Sequence, residues 1–177
     1  MAKSNIFLVG FMGTGKTTVS RQLSELLGYE EVDTDARIAR QQDRSIAEIF
    51  ETQGEQAFRE METGLLQELG EETHKIISCG GGMALRRENV ALMREHGVVV
   101  LLTAEPETIF ARVRDDNGRP VLNGNMNVGY IRELMAKRMP YYQAAGEVVV
   151  GTDGRSPQEI AREIKEKLSS GKISFDF

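Results

Sequence analysis

The chain alternates two hydrophobic patterns. Five short strand-like runs stand out: NIFLV at residues 5–9, YEEVD at 29–33, KIISC at 75–79, VVVLL at 98–102 and EVVVG at 147–151. Between them lie longer stretches with apolar residues three and four apart. In TTVSRQLSELLG, Val19, Leu23, Leu26 and Leu27 share one helical face, and Gly28 ends the run. Ile38 and Ala39 begin a short helix after the second strand. SIAEIF opens the next, with Ser45 and Glu48 as a capping box. Gly54 breaks that helix, and EQAFREMETGLLQEL continues as a long one. NVALMREHG and PETIFARVR flank the fourth strand. DDNGRPVLNGNMN reads as a loop, and VGYIRELMAKRMPYY as a helix up to Pro140. SPQEIAREIKEKL closes the series, with Ser156 as N-cap and Pro157 at the first helical position. Strands alternating with helices predict an α/β fold, a parallel sheet covered on both faces. No repeat or linker interrupts the series, so residues 1–177 read as one domain. The tail SGKISFDF is polar with two Phe residues, and the pattern leaves open whether it docks or frays.

Composition changes this picture little. Hydrophobic content of 40% and charged content of 28% suit an ordinary globular domain. A net charge of −5 argues against a broad nucleic-acid surface. No apolar run approaches a membrane span, so no membrane partner is expected. Lys3 is followed by only a handful of apolar residues that already belong to the first strand, so no signal peptide is expected. The single Cys79 excludes an intrachain disulfide and fits a reducing cytoplasm. It reads as a buried small hydrophobe, not a nucleophile, since no base partner accompanies it. His74 and His96, each at the end of a helical run, read as helix-end residues and not as metal ligands.

The chemistry concentrates after the strands. In FLVGFMGTGKTT, residues 7–18, Gly10, Gly15, Lys16 and Thr17 fit the P-loop pattern G-x-x-x-x-G-K-S/T. Residues Gly13, Thr14, Gly15, Lys16, Thr17 and Thr18 are expected to cradle the phosphates of ATP. Lys16 would reach the β- and γ-phosphates, and the Thr17 hydroxyl would ligate Mg²⁺. The following helix adds its N-terminal dipole. Sites in such sheets lie at the carboxyl ends of the strands. There the second strand ends in VDTD. Asp33 suits Mg²⁺, directly or through water, and Asp35 suits a proton or hydrogen bond from a substrate hydroxyl. The plainer alternative is that one of them caps a helix starting near Ala36. The third strand runs into SCGGGMAL, where three glycines let the backbone approach a ligand or simply turn. Ser78 stands where many P-loop proteins carry a metal-associated Asp. By charge alone, Arg59, Arg119 and Arg138 do not differ from solvated surface arginines.

GFMGTGKTT, DTD, GEQAFREME, SCGGG, GRPVL, RMPYY and GRSP occur in this order. Together they resemble the shikimate kinase family, small relatives of the nucleoside monophosphate kinases, over roughly residues 5–168. The resemblance implies a three-layer αβα P-loop fold with a five-stranded parallel sheet in the order 2-3-1-4-5. It implies a substrate-binding segment at 34–61 and a mobile lid at 114–125. The implied reaction moves a phosphoryl group from ATP to the 3-hydroxyl of shikimate, giving ADP and shikimate 3-phosphate, with Mg²⁺. A cytoplasmic monomer in aromatic amino acid biosynthesis goes with it. Asp35 resembles the residue bonding the shikimate hydroxyls, and Arg59 and Arg138 the pair clamping its carboxylate. Gly81 and Gly82 resemble the glycines whose N–H groups meet substrate. Arg119 resembles the lid arginine that closes over the ATP phosphates, and Arg112 and Arg155 those flanking the adenine. Lys16, Mg²⁺ and Arg119 would then neutralise the γ-phosphate, while Asp35 orients the attacking hydroxyl. Departures are small. Thr17 and Thr18 replace the commoner Ser-Thr pair, Val121 stands where Leu is usual, and Met83 follows the glycines where smaller residues are frequent. Two alternatives stay open: a gluconate- or nucleotide-directed kinase of the same fold, which would not need both Arg59 and Arg138, and a nucleotide-binding relative without transferase activity.

Overall fold

The structure, a computed structural model, describes residues 3–114 and 127–177. Its strands are β1 (Asn5–Val9), β2 (Glu30–Asp33), β3 (Lys75–Ser78), β4 (Gly97–Thr103) and β5 (Val148–Gly151). They form one parallel sheet in the order β2-β3-β1-β4-β5. The helices among the described residues are α1 (Lys16–Leu27), α2 (Thr34–Gln42), α3 (Ile46–Leu69), α4 (Arg87–His96), α5 (Pro106–Val113), α6 (Val128–Ala145) and α7 (Pro157–Ser169). A short 3₁₀ turn spans Met83–Leu85.

Successive strand side chains point to opposite faces, so each central strand feeds two cores. Phe7, Val9, Val99 and Leu101 pack with Leu65, Leu66 and Leu69 of α3, Met93 of α4 and Ile131 of α6. Ile6, Leu8, Val98, Val100 and Leu102 pack with Leu23 of α1 and Ile164 of α7. This is why β1 and β4 read as continuous apolar runs. At the edge, β5 alternates instead, with Val148 and Val150 buried and Val149 exposed.

Several boundaries differ from the sequence expectation. α2 begins at Thr34, ahead of Ala36, because the Asp33 carboxylate accepts the Ala36 N–H at 3.0 Å and caps the helix. α6 does not stop at Pro140 but runs on to Ala145. Proline forfeits one helical hydrogen bond. Burial of Tyr142 and Ala145 beyond it holds the next turn in place. At Gly54 the backbone leaves helical geometry (φ 85°, ψ 169°) and divides α3, as expected from the glycine. His74 is not at a helix end. It sits in a left-handed turn before β3, edge-on to Tyr29 at 5.0 Å. The tail docks: the Asp176 N–H donates to the Lys3 carbonyl at 2.9 Å, and Phe175 packs on the second core. Apart from Arg114, the expected lid at 114–125 lies outside the described residues, and so do Arg119 and Val121. Among the described residues no helix is long and apolar enough to cross a membrane.

Leu66 is buried between α3 and the sheet, whereas Leu26 of α1 is 39% exposed. Leu66→Ala is expected to cost about 2–5 kcal/mol, seen as a lower urea midpoint. Leu26→Ala is expected to shift it by no more than about 0.5 kcal/mol.

Candidate active site

β1 delivers the chain into the loop at residues 10–15, and α1 begins at Lys16. The cap position of α1 is Gly15 (φ 95°), which supplies no side chain to the first-turn N–H groups. Those donors are left to solvent or to an anion. The loop is closed internally. The buried Thr14 hydroxyl donates to the Phe11 carbonyl at 2.8 Å, and that of Thr18 to the Gly15 carbonyl at 3.0 Å. The Lys16 ammonium donates to the carbonyls of Gly10 at 2.7 Å and Phe11 at 3.0 Å.

Above the loop lies a cavity of about 540 Å³. Residues 12–19 line one wall, so all six expected phosphate-cradle residues are in place. Asp33, Asp35, Ser78, Cys79, Gly80 and Gly81 line the sheet side, and Arg112 and Arg155 the far side. Both arginines are anchored. Arg112 donates to the Gly13 carbonyl at 3.0 Å and the Thr152 hydroxyl at 3.1 Å. Arg155 donates to the Gly151 carbonyl at 2.9 Å and pairs with Glu163 at 2.6 Å. Cys79 is buried among these groups, and burial pushes its thiol well above the ordinary range, which suits an inert hydrophobe.

Beyond Gly81 stand Arg59, Gly82 and Arg138, which do not line this cavity themselves. The turn after β3 is packed so tightly that side chains occupy the space a Cβ would need. At Gly82 a methyl group would lie 2.5 Å from the Arg59 Cζ. At Gly80 it would lie 2.8 Å from Asp35 Oδ1 and 3.1 Å from Glu62 Oε1. Arg138 Nη1 comes within 3.6 Å of the corresponding point at Gly81. Arg59 from α3 and Arg138 from α6 thus converge on adjacent glycines, with Asp35 of α2 next to them. Each guanidinium also lies over an aromatic ring, Arg59 over Phe58 at 5.3 Å and Arg138 over Phe11 at 5.9 Å.

Glu62 belongs to this group, although its place in F-R-x-x-E carried no assigned role. The spacing was the signal, since residues three apart share a helix face. Glu62 Oε2 accepts from Arg59 Nη1 at 2.8 Å, and the residue is fully buried. Its Oε1 has no hydrogen-bond partner among the described residues. Burial pushes the Glu62 carboxyl above the ordinary carboxylate range, Arg59 opposes that, and the charge of Asp35 adds to it. Burial works against the Arg59 charge too, but Glu62 and Glu55 outweigh it and raise the guanidinium further. Tyr142 of RMPYY was likewise unassigned, yet its hydroxyl donates to the Gly81 carbonyl at 2.6 Å.

Among the described residues no group of three or more His, Cys, Asp or Glu forms a metal cage. The Thr17 hydroxyl and Asp33, with one carboxylate oxygen engaged in capping, offer few protein ligands. That donor set fits Mg²⁺, which keeps waters and takes the rest of its shell from phosphate oxygens.

A P-loop and a carboxylate line one cavity, and two arginines converge on the glycines at its edge. This is the architecture of a P-loop small-molecule kinase. The family model for shikimate kinase matches residues 12–169. A shikimate kinase from Symbiobacterium thermophilum is 43% identical over 166 residues, covering 93% of this chain and 95% of the relative. One from Dehalococcoides mccartyi is 40% identical, covering 94% of each. The solved shikimate kinase from Acinetobacter baumannii, in complex with shikimate, superposes with a TM-score of 0.90 at 35% identity, over 96% of this chain and 95% of that one. The chain belongs to the shikimate kinase family.

The buried carboxyl of Glu62 has a measurable consequence. Its pKa is higher in the folded than in the unfolded chain, so the native state holds this proton more tightly. That contribution is present at low pH and is lost as pH rises through the folded-state value. Glu62→Gln cannot ionise. The urea midpoint of wild type relative to Glu62→Gln is expected to fall as pH rises through and just above the ordinary carboxylate range. A difference that stays level over that window refutes the assignment.

Proposed function

We propose that this chain transfers the γ-phosphoryl group of ATP to the 3-hydroxyl of shikimate, yielding ADP and shikimate 3-phosphate. The observation that carries this reading is the convergence of Arg59 and Arg138 on Gly81 and Gly82, with Asp35 and Gly81 lining the same cavity as the P-loop. In-line attack by the hydroxyl oxygen forms the new P–O bond as the bond to the ADP oxygen breaks. Such a transfer needs positioning and charge neutralisation more than covalent catalysis.

In this reading Lys16 and the first-turn N–H groups of α1 neutralise the phosphates held by Gly13, Thr14, Gly15, Thr17 and Thr18. Thr17, and Asp33 through water, would hold Mg²⁺, which would add charge neutralisation at the phosphates. Asp35 hydrogen-bonds the acceptor hydroxyl and takes its proton. Arg59 and Arg138 grip the acceptor carboxylate, for which guanidinium forks are the matching shape. Gly81 and Gly82 offer backbone N–H groups to the same molecule. Arg112 and Arg155, held by backbone carbonyls on the far wall, flank the adenine. The segment at 34–61 serves as the substrate-binding part of a single domain. Arg119, from a lid at 114–125, completes the phosphate neutralisation when the lid closes. A monomer working in the cytoplasm, in aromatic amino acid biosynthesis, completes the reading.

The test is ADP release from Mg-ATP, alone and with shikimate, gluconate or nucleoside monophosphates. Release is expected to depend strongly on shikimate and not on the others, and release indifferent to shikimate overturns the assignment. Asp35→Asn is expected to lower kcat by about 10²–10⁴-fold. Arg59→Ala is expected to raise the KM for shikimate by about 10–100-fold, the range for a lost charge-assisted hydrogen bond, while the KM for ATP stays near wild type.

A further inference from the structure

One helical turn after Arg138, α6 carries Tyr142, the largest of the fully buried side chains at 1% exposure. Packing alone would be met by a phenylalanine, but a buried phenol must also satisfy its hydroxyl. Here the O–H donates to the Gly81 carbonyl at 2.6 Å, and Arg138 Nη1 and the Tyr142 oxygen lie 3.6 and 3.9 Å from the same point beside Gly81, where a Cβ would stand. Burial pushes the phenol above its ordinary range, opposed by Arg138, so it remains a donor at neutral pH. Tyr142 does not itself line the cavity.

We propose that Tyr142 is a positioning residue for the acceptor. Its hydroxyl fixes the Gly81–Gly82 peptide beside Arg138, so that the amide meeting the acceptor is aimed at the place the guanidinium also faces. This rests on the functional reading above. The reasoning is geometric. The Gly81 carbonyl and the Gly82 N–H lie on opposite edges of one planar trans peptide, so holding the carbonyl aims the N–H the other way. The turn is held at its ends, where the Gly80 N–H donates to the Thr34 hydroxyl at 3.0 Å and the Met83 N–H to the Gly80 carbonyl at 3.1 Å, and the Tyr142 hydroxyl holds the Gly81 carbonyl between them. The helix reaches Tyr142 only because α6 continues past Pro140. The neighbouring Tyr141, 54% exposed, has no such role and serves as the control.

Tyr142→Phe keeps the ring and its volume and removes only the hydroxyl. Steady-state kinetics are compared for wild type, Tyr142→Phe, Tyr141→Phe, Arg138→Ala and the Arg138→Ala/Tyr142→Phe double variant. Tyr142→Phe is expected to raise the KM for shikimate about 3–10-fold, with the KM for ATP within about twofold. Tyr141→Phe is expected to match wild type. In the Arg138→Ala background the Tyr142→Phe effect on that KM is expected to shrink, because neighbouring groups that meet one acceptor act together. A purely structural tyrosine would lower thermal stability, move both KM values alike and add independently to Arg138→Ala, and any of these kinetic results overturns the proposal. Wild type lacking shikimate-dependent turnover overturns the functional reading and this role with it. Wild-type turnover with an unchanged Tyr142→Phe KM overturns this role alone.

Discussion

The site depends on a turn that has no side chains of its own. Between β3 and the 3₁₀ turn, Gly80, Gly81 and Gly82 leave three small volumes next to the backbone. Charged side chains fill them: Asp35 and Glu62 at Gly80, and Arg59 at Gly82. A Cβ at Gly80 or Gly82 would press on a carboxylate or a guanidinium, so it is the neighbouring side chains that favour glycine there. The turn closes with the Met83 N–H on the Gly80 carbonyl at 3.1 Å, and side chains of α2, α3 and α6 pack around it. The register of the sheet then decides where it lies, since β3 pairs with both β1 and β2 and ends beside the P-loop and Asp33.

That arrangement places charge where burial opposes it. Glu62 is fully inside the protein, with one oxygen on Arg59 and the other without a hydrogen bond among the described residues. A buried ion pair is weak evidence of stability, since desolvation offsets much of the attraction. Its effect is on geometry. Pairing with Glu62 and Glu55 keeps Arg59 charged and holds its plane against Gly82, ready for an anion. Thr63 and Asn89 extend the support: the Thr63 hydroxyl donates to Asn89 Oδ1 at 2.7 Å, and the Asn89 amide donates to the Met83 carbonyl at 3.0 Å. The end of the glycine turn is thereby tied to the helix that carries Arg59.

The legible parts of the sequence were those written locally. The P-loop, the capping box at Ser45, the N-cap at Ser156 and the break at Gly54 each need only a few neighbouring residues, and all are present. The apolar runs named the strands, and alternation with helices named the parallel sheet; the strand order came from the family resemblance. What local pattern does not contain is convergence. Arg59, Arg138 and Asp35 sit on three helices, and no spacing along the chain shows that they meet at one turn. Asp33 did double work that a sequence cannot separate, capping α2 while lining the cavity. Pro140 misled because its local cost was outweighed by burial of Tyr142 and Ala145 on the next turn. Tyr142 went unassigned for the same reason, since its partner on the glycine turn becomes visible only when helices pack, whereas the Arg59 partner of Glu62 was within reach of the i,i+3 spacing and only the burial of Glu62 was not.

A protein with net charge −5 that binds two anions needs its cations placed and oriented, because its overall field repels both ligands. The described cations at the site are each already directed by an acceptor or a ring. Lys16 rests on the Gly10 and Phe11 carbonyls, Arg112 on Gly13 and Thr152, Arg155 on Gly151 and Glu163, and Arg59 on Glu62. Long flexible side chains lose considerable rotamer freedom when a ligand orders them. Here folding has already met most of that cost, so the attraction of each incoming anion goes into binding and alignment. The same logic explains why carbonyls serve as so many of the anchors. A dipole holds a guanidinium or ammonium in direction without neutralising it, and the full positive charge remains for the phosphate or carboxylate that arrives.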